Sequence, residues 1–272
     1  MEHKLPKSTI HYEVFGEGRP MLVLHGGYLD HRHMVDALEP LFDYRLDWKR
    51  IYIDIPGHGK SAVDPSISNH DQVLDLILAF VSEILPGQSF AVAGESRGGY
   101  LARGIVHRKP DVVDGALFIV PGRYAVAAGG SVPTHVTLTR ADGLIATLQP
   151  NEVGRFNRLV VQSGEILEKI RRHKNPATAL VDQDHQDKIN ANYEYAFDVD
   201  APDRPFLKPV LFLLGRQDSM VGYHDALRAI ECFPRATFAI LDKAGHSLSW
   251  EQPALFQALA CEWLQRVEDF ES

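Results

Sequence analysis

The segment Ser89-Phe90-Ala91-Val92-Ala93 runs directly into Gly94-Glu95-Ser96-Arg97-Gly98, and from Arg97 to Lys109 the chain reads as a helix. The apolar run predicts a buried strand, and the helix ends where Pro110 removes an N–H donor. A serine between two glycines at such a junction has a physical reading. Glycine lets the backbone turn tightly while neighbouring segments crowd in, and the serine oxygen is pushed into the open. The helix carries Gly98, Gly99, Ala102 and Gly104, which implies close packing against a sheet.

Further Val/Ile/Leu runs lie on both sides of this junction: Met21–Leu24, Arg50–Asp54, Gly115–Val120, Pro209–Leu214 and Ala236–Leu241. They alternate with segments of helical period, which predicts an α/β fold with a mostly parallel central sheet and helices on both faces. Between the second and third strands, Val73, Ile77, Val81 and Leu85 share one helix face, with Ser68 and Asp71 spaced as a capping box. The last helix opens at Pro253 and places Leu255, Phe256, Leu259 and Trp263 on one side. The alternation breaks between Arg123 and Pro205. There, helical segments around Pro150–Val161, Glu165–Arg172 and His185–Phe197 are separated by Pro- and Gly-bearing stretches. Residues 1–122 and 206–272 are therefore expected to form the core domain, and 123–205 an inserted helical cap.

In its strand-turn-helix setting, Gly94-Glu95-Ser96-Arg97-Gly98 resembles the G-x-S-x-G nucleophile elbow of the α/β-hydrolase superfamily. The resemblance implies Ser96 as nucleophile, followed in chain order by an acid and a histidine. Gly215-Arg216-Gln217-Asp218, after the strand ending at Leu214, is similar to the family's acid loop and implies Asp218. Gly245-His246, after the strand ending at Leu241, is similar to its histidine loop and implies His246 as general base. Each residue alone has a bland alternative, a helix cap for Asp218 and a loop histidine for His246. Their joint placement behind three separate strands favours the catalytic reading, since ligands bind at that edge of a parallel sheet.

Developing negative charge on an attacked carbonyl needs fixed donors. The Arg97 backbone N–H at the start of its helix is one candidate. His25-Gly26-Gly27-Tyr28 looks like the family's HG-x motif and implies Gly27 as the second, with Tyr28 as the alternative. His25 reads as a turn residue. Asp54-Ile55-Pro56-Gly57-His58-Gly59-Lys60-Ser61 also resembles the family and reads as turn architecture. It is not a phosphate loop, because Asp54 stands where that loop requires glycine. Glu95 reads as a structural acid pointing away from Ser96. His31 with His33, and Asp182, Asp184 and His185, lack diagnostic metal spacing and read as solvated surface.

Twenty-eight Lys and Arg against 36 Asp and Glu give a net charge of −8, which disfavours nucleic-acid binding. No apolar run is long enough to span a bilayer, and a cytoplasmic location is expected. Cys232 and Cys261 lack paired spacing and read as reduced thiols. No metal or cofactor is expected. The resemblance implies hydrolysis of a small to medium carboxylic ester. Thioester, amide and carbon–carbon bond hydrolysis on the same residues, or a small-molecule receptor retaining the fold, are the alternatives. Serine at the nucleophile position argues against the aspartate-based dehalogenase and epoxide hydrolase branches. Tyr28, Arg123, Tyr124, Met220 and Leu248 are expected around the substrate. Oligomeric state is left open.

Overall fold

Successive residues of a strand face opposite sides of its sheet, and here both sides are apolar. Leu22 and Leu24, Ile51 and Ile53, Val92, Phe118 and Phe212 pack into one buried layer. Met21 and Val23, Tyr52, Ala91 and Ala93, Leu117 and Ile119, and Leu211 and Leu213 pack into another on the opposite side. A strand buried on both faces belongs inside a parallel sheet covered by helices. The computed structural model, which describes residues 1–122 and 132–270, has that architecture.

The strands are β1 (Glu2–Leu5), β2 (Ser8–Phe15), β3 (Arg19–Leu24), β4 (Trp48–Ile53), β5 (Ala62–Val63), β6 (Phe90–Glu95), β7 (Val113–Ile119), β8 (Val210–Gly215) and β9 (Ala236–Leu241). Their order across the sheet is β1-β2-β4-β3-β6-β7-β8-β9, with β5 paired to β2. From β4 to β9 all neighbours are parallel. β2 lies antiparallel to β4 and to β1. The six strands expected from the apolar runs are present. β1, β2 and β5 were not foreseen.

One face is covered by α2 (His70–Ile84) and α3 (Arg97–Arg108), the other by α1 (His31–Leu38) and α10 (Pro253–Glu268). α10 buries Phe256, Ala260, Trp263 and Leu264. Leu255, expected on that face, is instead exposed, because Ala260, Leu264 and Val267 turn the apolar stripe away from it. Truncating a buried Trp such as Trp263 would cost about 3–5 kcal/mol. The cap of α2 sits one residue later than predicted. Asn69, in extended conformation, accepts from the Gln72 N–H at 3.0 Å, and the Gln72 side chain accepts from the Ser68 N–H at 2.8 Å.

Between β7 and β8 the chain passes through α4 (Asp142–Ile145), α5 (Pro150–Asn157), α6 (Gly164–Lys169), a π-helical turn (Ile170–Lys174), α7 (Asn175–Thr178) and α8 (Gln183–Ala191). These elements have a small core of their own, Phe156, Leu159, Ile166, Leu167 and Ile170, seated on Trp250 of α9 (Leu248–Glu251). No helix among the described residues is long and apolar enough to cross a membrane.

The chain leaves β3 toward β4 on one side and leaves β6 toward β7 on the other. The strand order therefore reverses between β3 and β6. Loops leaving the carboxyl ends of two such strands diverge and open a crevice, the general ligand position in this class of sheet.

Candidate active site

The turn after β6 is set by contacts that leave no room for side chains. A Cβ on Gly94 would lie 2.2 Å from the Gly98 carbonyl oxygen, and one on Gly98 would lie 2.4 Å and 2.5 Å from those of Leu24 and His25. Ser96 between them has φ 52° and ψ −116°, a conformation that costs a non-glycine residue on the order of 1–3 kcal/mol. Ser96 precedes α3 without capping it by its side chain, so the hydroxyl is free for another partner.

That partner is His246, in the loop after β9. Its Nε2 lies 2.9 Å from the Ser96 Oγ, and its Nδ1 lies 2.8 Å from the Asp218 Oδ2. A carboxylate can only accept, so Nδ1 carries the hydrogen and Nε2 is left to accept the serine proton. Asp218, fully buried in the loop after β8, has its other oxygen occupied by the N–H groups of Met220 at 2.8 Å and Val221 at 3.0 Å. The carboxylate is thereby fixed in position. Burial opposes a charge on His246, but the Asp218 charge and hydrogen bond, with Glu95 behind them, outweigh it and raise the imidazole pKa above its ordinary value.

The Arg97 backbone N–H is at the first turn of α3, where helix donors have no partner within the helix. Opposite it run Gly26, Gly27 and Tyr28, with Tyr28 held at φ 61°. His25 shapes this loop: its Nδ1 donates to the Gly26 carbonyl at 2.7 Å and its Nε2 accepts from the Ile55 N–H at 2.9 Å. With both ring nitrogens engaged and burial pushing its pKa down, His25 is a turn residue, as expected.

Ser96 and His246 open into a cavity of about 390 Å³ that Gly27, Tyr28 and Met220 also line. Four cationic side chains border it: Arg97, Arg155, Arg158 and Lys174. A strained serine is thus bonded through histidine to a buried carboxylate at this edge of the sheet.

A family model described as the alpha/beta hydrolase fold matches residues 19–253. The chain belongs to the α/β-hydrolase fold family. Among curated relatives, a 2-hydroxy-6-oxononadienedioate/2-hydroxy-6-oxononatrienedioate hydrolase of Burkholderia vietnamiensis is 24% identical, covering 94% of this chain and 91% of its own. A pimeloyl-acyl-carrier protein methyl ester esterase of Nitrosomonas europaea is 25% identical over 88% of this chain and 93% of its own. An alpha/beta superfamily hydrolase from Oenococcus oeni has a solved structure that superposes with a TM-score of 0.87 at 24% identity, covering 98% and 99% of the two chains.

Within this α/β-hydrolase fold, further polar residues surround the site: Glu95, expected as a structural acid, and Glu251, to which no role was assigned from sequence. Glu95 is buried beside the Ser96 turn and accepts from the His33 Nε2 at 2.8 Å, and the His33 ring meets Trp250 edge-on at 4.8 Å. Burial pushes the Glu95 pKa up, but His33, Lys174 and His246 together hold it below its usual value. Glu251 accepts from the Gly245 N–H at 2.6 Å and the Val160 N–H at 2.7 Å. It ties the histidine loop to the segment between β7 and β8. The His33 partner of Glu95 and the Val160 partner of Glu251 lie 62 and 91 residues away, so neither contact was legible in the sequence.

Three expectations need correction. Leu248 does not line the cavity: α9 turns it into the core at 1% exposure, and the preceding Ser247 lines the cavity instead. His31 and His33 are not solvated surface but buried, His31 bonded through Nδ1 to the Asp54 Oδ1 at 2.7 Å and His33 to Glu95. His185 is likewise buried, its ring so close to Gly57 that a Cβ there would lie 2.3 Å away, whereas Asp182 and Asp184 are exposed. Arg123 and Tyr124 lie outside the described residues.

The segment from Asp54 to Ser61 is turn architecture as expected. Asp54 accepts from the His31 and Lys60 N–H groups at 2.9 Å each, and Gly59 at φ 54° leaves the space the carboxylate fills. His11, Glu13 and His31 bring metal-ligating atoms within 4.8 Å of one another, as do Asp30, His31 and Asp54. His31, Glu13, Asp30 and Asp54 border a different cavity from the one Ser96 opens into.

Proposed function

We propose that the protein is a serine hydrolase acting on a small to medium carboxylic ester. The observation that carries this reading is the unbroken hydrogen-bonded chain from the Ser96 hydroxyl through His246 to Asp218. Ser96 attacks the ester carbonyl as His246 Nε2 takes its proton. Asp218 holds the imidazole tautomer and stabilises the imidazolium. The N–H groups of Arg97 and Gly27, with Tyr28 as the alternative to Gly27, receive the oxyanion. His246 then delivers its proton to the leaving alcohol. An acyl-enzyme on Ser96 remains, and water activated by His246 hydrolyses it.

Residues 123–205 act in this reading as a helical cap over the core formed by 1–122 and 206–272. Tyr28 and Met220 contact substrate from the core side. The partner is a small molecule, no cofactor takes part, and the protein works in the cytoplasm.

A second reading, hydrolysis of a carbon–carbon bond by the same residues, is favoured by the 24% identity to a dioate hydrolase along nearly the whole chain. The test is turnover of p-nitrophenyl butyrate beside a vinylogous diketone, by wild type and by Ser96→Ala. Ester hydrolysis lost by roughly 10³-fold or more in the variant supports the proposal. Diketone cleavage without ester cleavage supports the second reading. Turnover equal in wild type and variant overturns both.

A further inference from the structure

Four cations surround the Ser96 cavity. Elsewhere several arginines meet carboxylates, Arg171 with Glu152, Arg50 with Glu39 and Arg32 with Asp30, while Arg19 and Arg216 meet a backbone carbonyl and a tyrosine hydroxyl. Around the cavity, every side-chain hydrogen-bond partner of these cations among the described residues is neutral. The Arg97 guanidinium donates to the side-chain carbonyls of Gln186 and Asn190, the latter at 2.6 Å. Arg155 donates to Asn175 at 3.4 Å and to the Thr178 hydroxyl. Lys174 donates to the Ser247 hydroxyl at 3.1 Å. Arg158 has no ion pair among the described residues.

Neutral amides orient a guanidinium without cancelling its charge. Arg97 is 6% exposed, and its Nε is buried without a hydrogen-bond partner, close beside Gly27. The one acid that lines the cavity, Glu95, is already engaged by His33. Four positive charges border this cavity against the Glu95 charge, with the Glu251 carboxylate also attracting Lys174, so the balance is cationic in a chain whose net charge is −8. Arg155 and Arg158 repel one another, and both repel Lys174. Like charges held together in a partly desolvated pocket are unfavourable unless a counter-charge enters it.

We propose that the substrate carries, besides the acyl carbon attacked by Ser96, a non-reacting anionic group, a carboxylate or phosphate, which Arg97, Arg155, Arg158 and Lys174 bind. The inference rests on the serine hydrolase reading for the identity of the reacting bond. The anion site itself stands on the charges. Arginine forks suit planar two-oxygen or tetrahedral anions, and such charge-assisted bonds are shorter and stronger than neutral ones.

The test has a kinetic and a binding arm. The first compares kcat/KM for mono-(4-nitrophenyl) glutarate and for 4-nitrophenyl pentanoate, which match in length and differ in the terminal carboxylate. Wild type is expected to favour the anionic ester by roughly tenfold or more. The preference should shrink as salt screens the site, and should fall toward one in Arg155→Gln/Arg158→Gln. The second arm titrates wild type and variant calorimetrically with glutarate and with inorganic phosphate at low ionic strength, and the tighter of the two names the anion. Circular dichroism establishes that the variant is folded. If it is not, the salt dependence of the wild-type preference serves in its place. Binding of either anion without turnover of either ester supports the anion site and overturns the carboxylic ester reading. Equal kcat/KM for both esters, with neither anion bound by wild type, overturns the anion site and leaves that reading intact.

Discussion

The Nε2 of His246 lies 2.9 Å from the Oγ of Ser96, although the two residues are 150 positions apart in the chain. The sheet closes that distance. β6 ends at Glu95, directly before Ser96, the loop after β9 carries His246, and the loop after β8, which lies between them in the sheet, supplies Asp218, so three loops meet at one edge. Elements of ordinary α/β packing thus aim a hydroxyl, an imidazole and a carboxylate at each other.

Replacing Asp218 with Asn would keep the volume and the two N–H contacts to Met220 and Val221. The amide can favour the wrong imidazole tautomer and cannot stabilise the imidazolium. kcat is expected to fall roughly 10³- to 10⁴-fold with the melting temperature little changed. Steady-state kinetics beside a thermal melt checks both parts.

Only neutral His246 can accept the serine proton. Its pKa is raised, so activity should increase with pH through an inflection above the ordinary histidine value of about 6.5. Glu95 contributes to that rise and Lys174 opposes it. Glu95→Gln should therefore move the inflection to lower pH, and Lys174→Met should move it higher. A pH–kcat/KM profile of the three proteins reads these shifts, and displacement in the reverse directions would refute the assignment.

Gly98 is enclosed by the Leu24 and His25 carbonyls, which are backbone atoms with no freedom to swing aside. Gly98→Ala should destabilise the fold by about 3 kcal/mol and displace Ser96. Gly154, with open space around its Cα, should accept the same change within about 0.5 kcal/mol. Urea denaturation of the two variants makes the comparison.

His70 is buried among Tyr100, Tyr193 and Tyr195, and burial pushes its pKa down to about 3. The unfolded chain then binds a proton that the native state does not. The resulting loss of stability begins as pH falls below the unfolded value near 6.5. His70→Phe removes this proton, so between pH 7 and pH 5 the wild type should lose about 1–2 kcal/mol more than the variant. Denaturant midpoints at the two pH values decide it.

The residues legible in the sequence are those whose reasons are local. Gly94 and Gly98 are demanded by a turn a few residues long, and Asp218 and His246 each follow an apolar strand directly. β1 and β2 escaped notice because Glu2–Leu5 and Ser8–Phe15 mix polar and apolar residues, as suits an antiparallel edge with one wetter face. The cationic wall was invisible for another reason. Arg155, Arg158 and Lys174 come from short helices with no diagnostic spacing, and only the fold sets them beside Arg97. Likewise, His31 and His33 read as surface because Asp54 and Glu95, the acids that justify burying them, are 23 and 62 residues away.

The central claim is that Ser96 is the nucleophile, activated by His246. Its most direct test is covalent capture: incubation with a fluorophosphonate, tryptic digestion, and mass spectrometry of the peptide carrying Ser96. One adduct per chain is expected, located on Ser96, with its formation slowed by orders of magnitude in His246→Ala and no labelling in Ser96→Ala. An adduct on a different serine, or undiminished labelling of Ser96→Ala, would contradict the account.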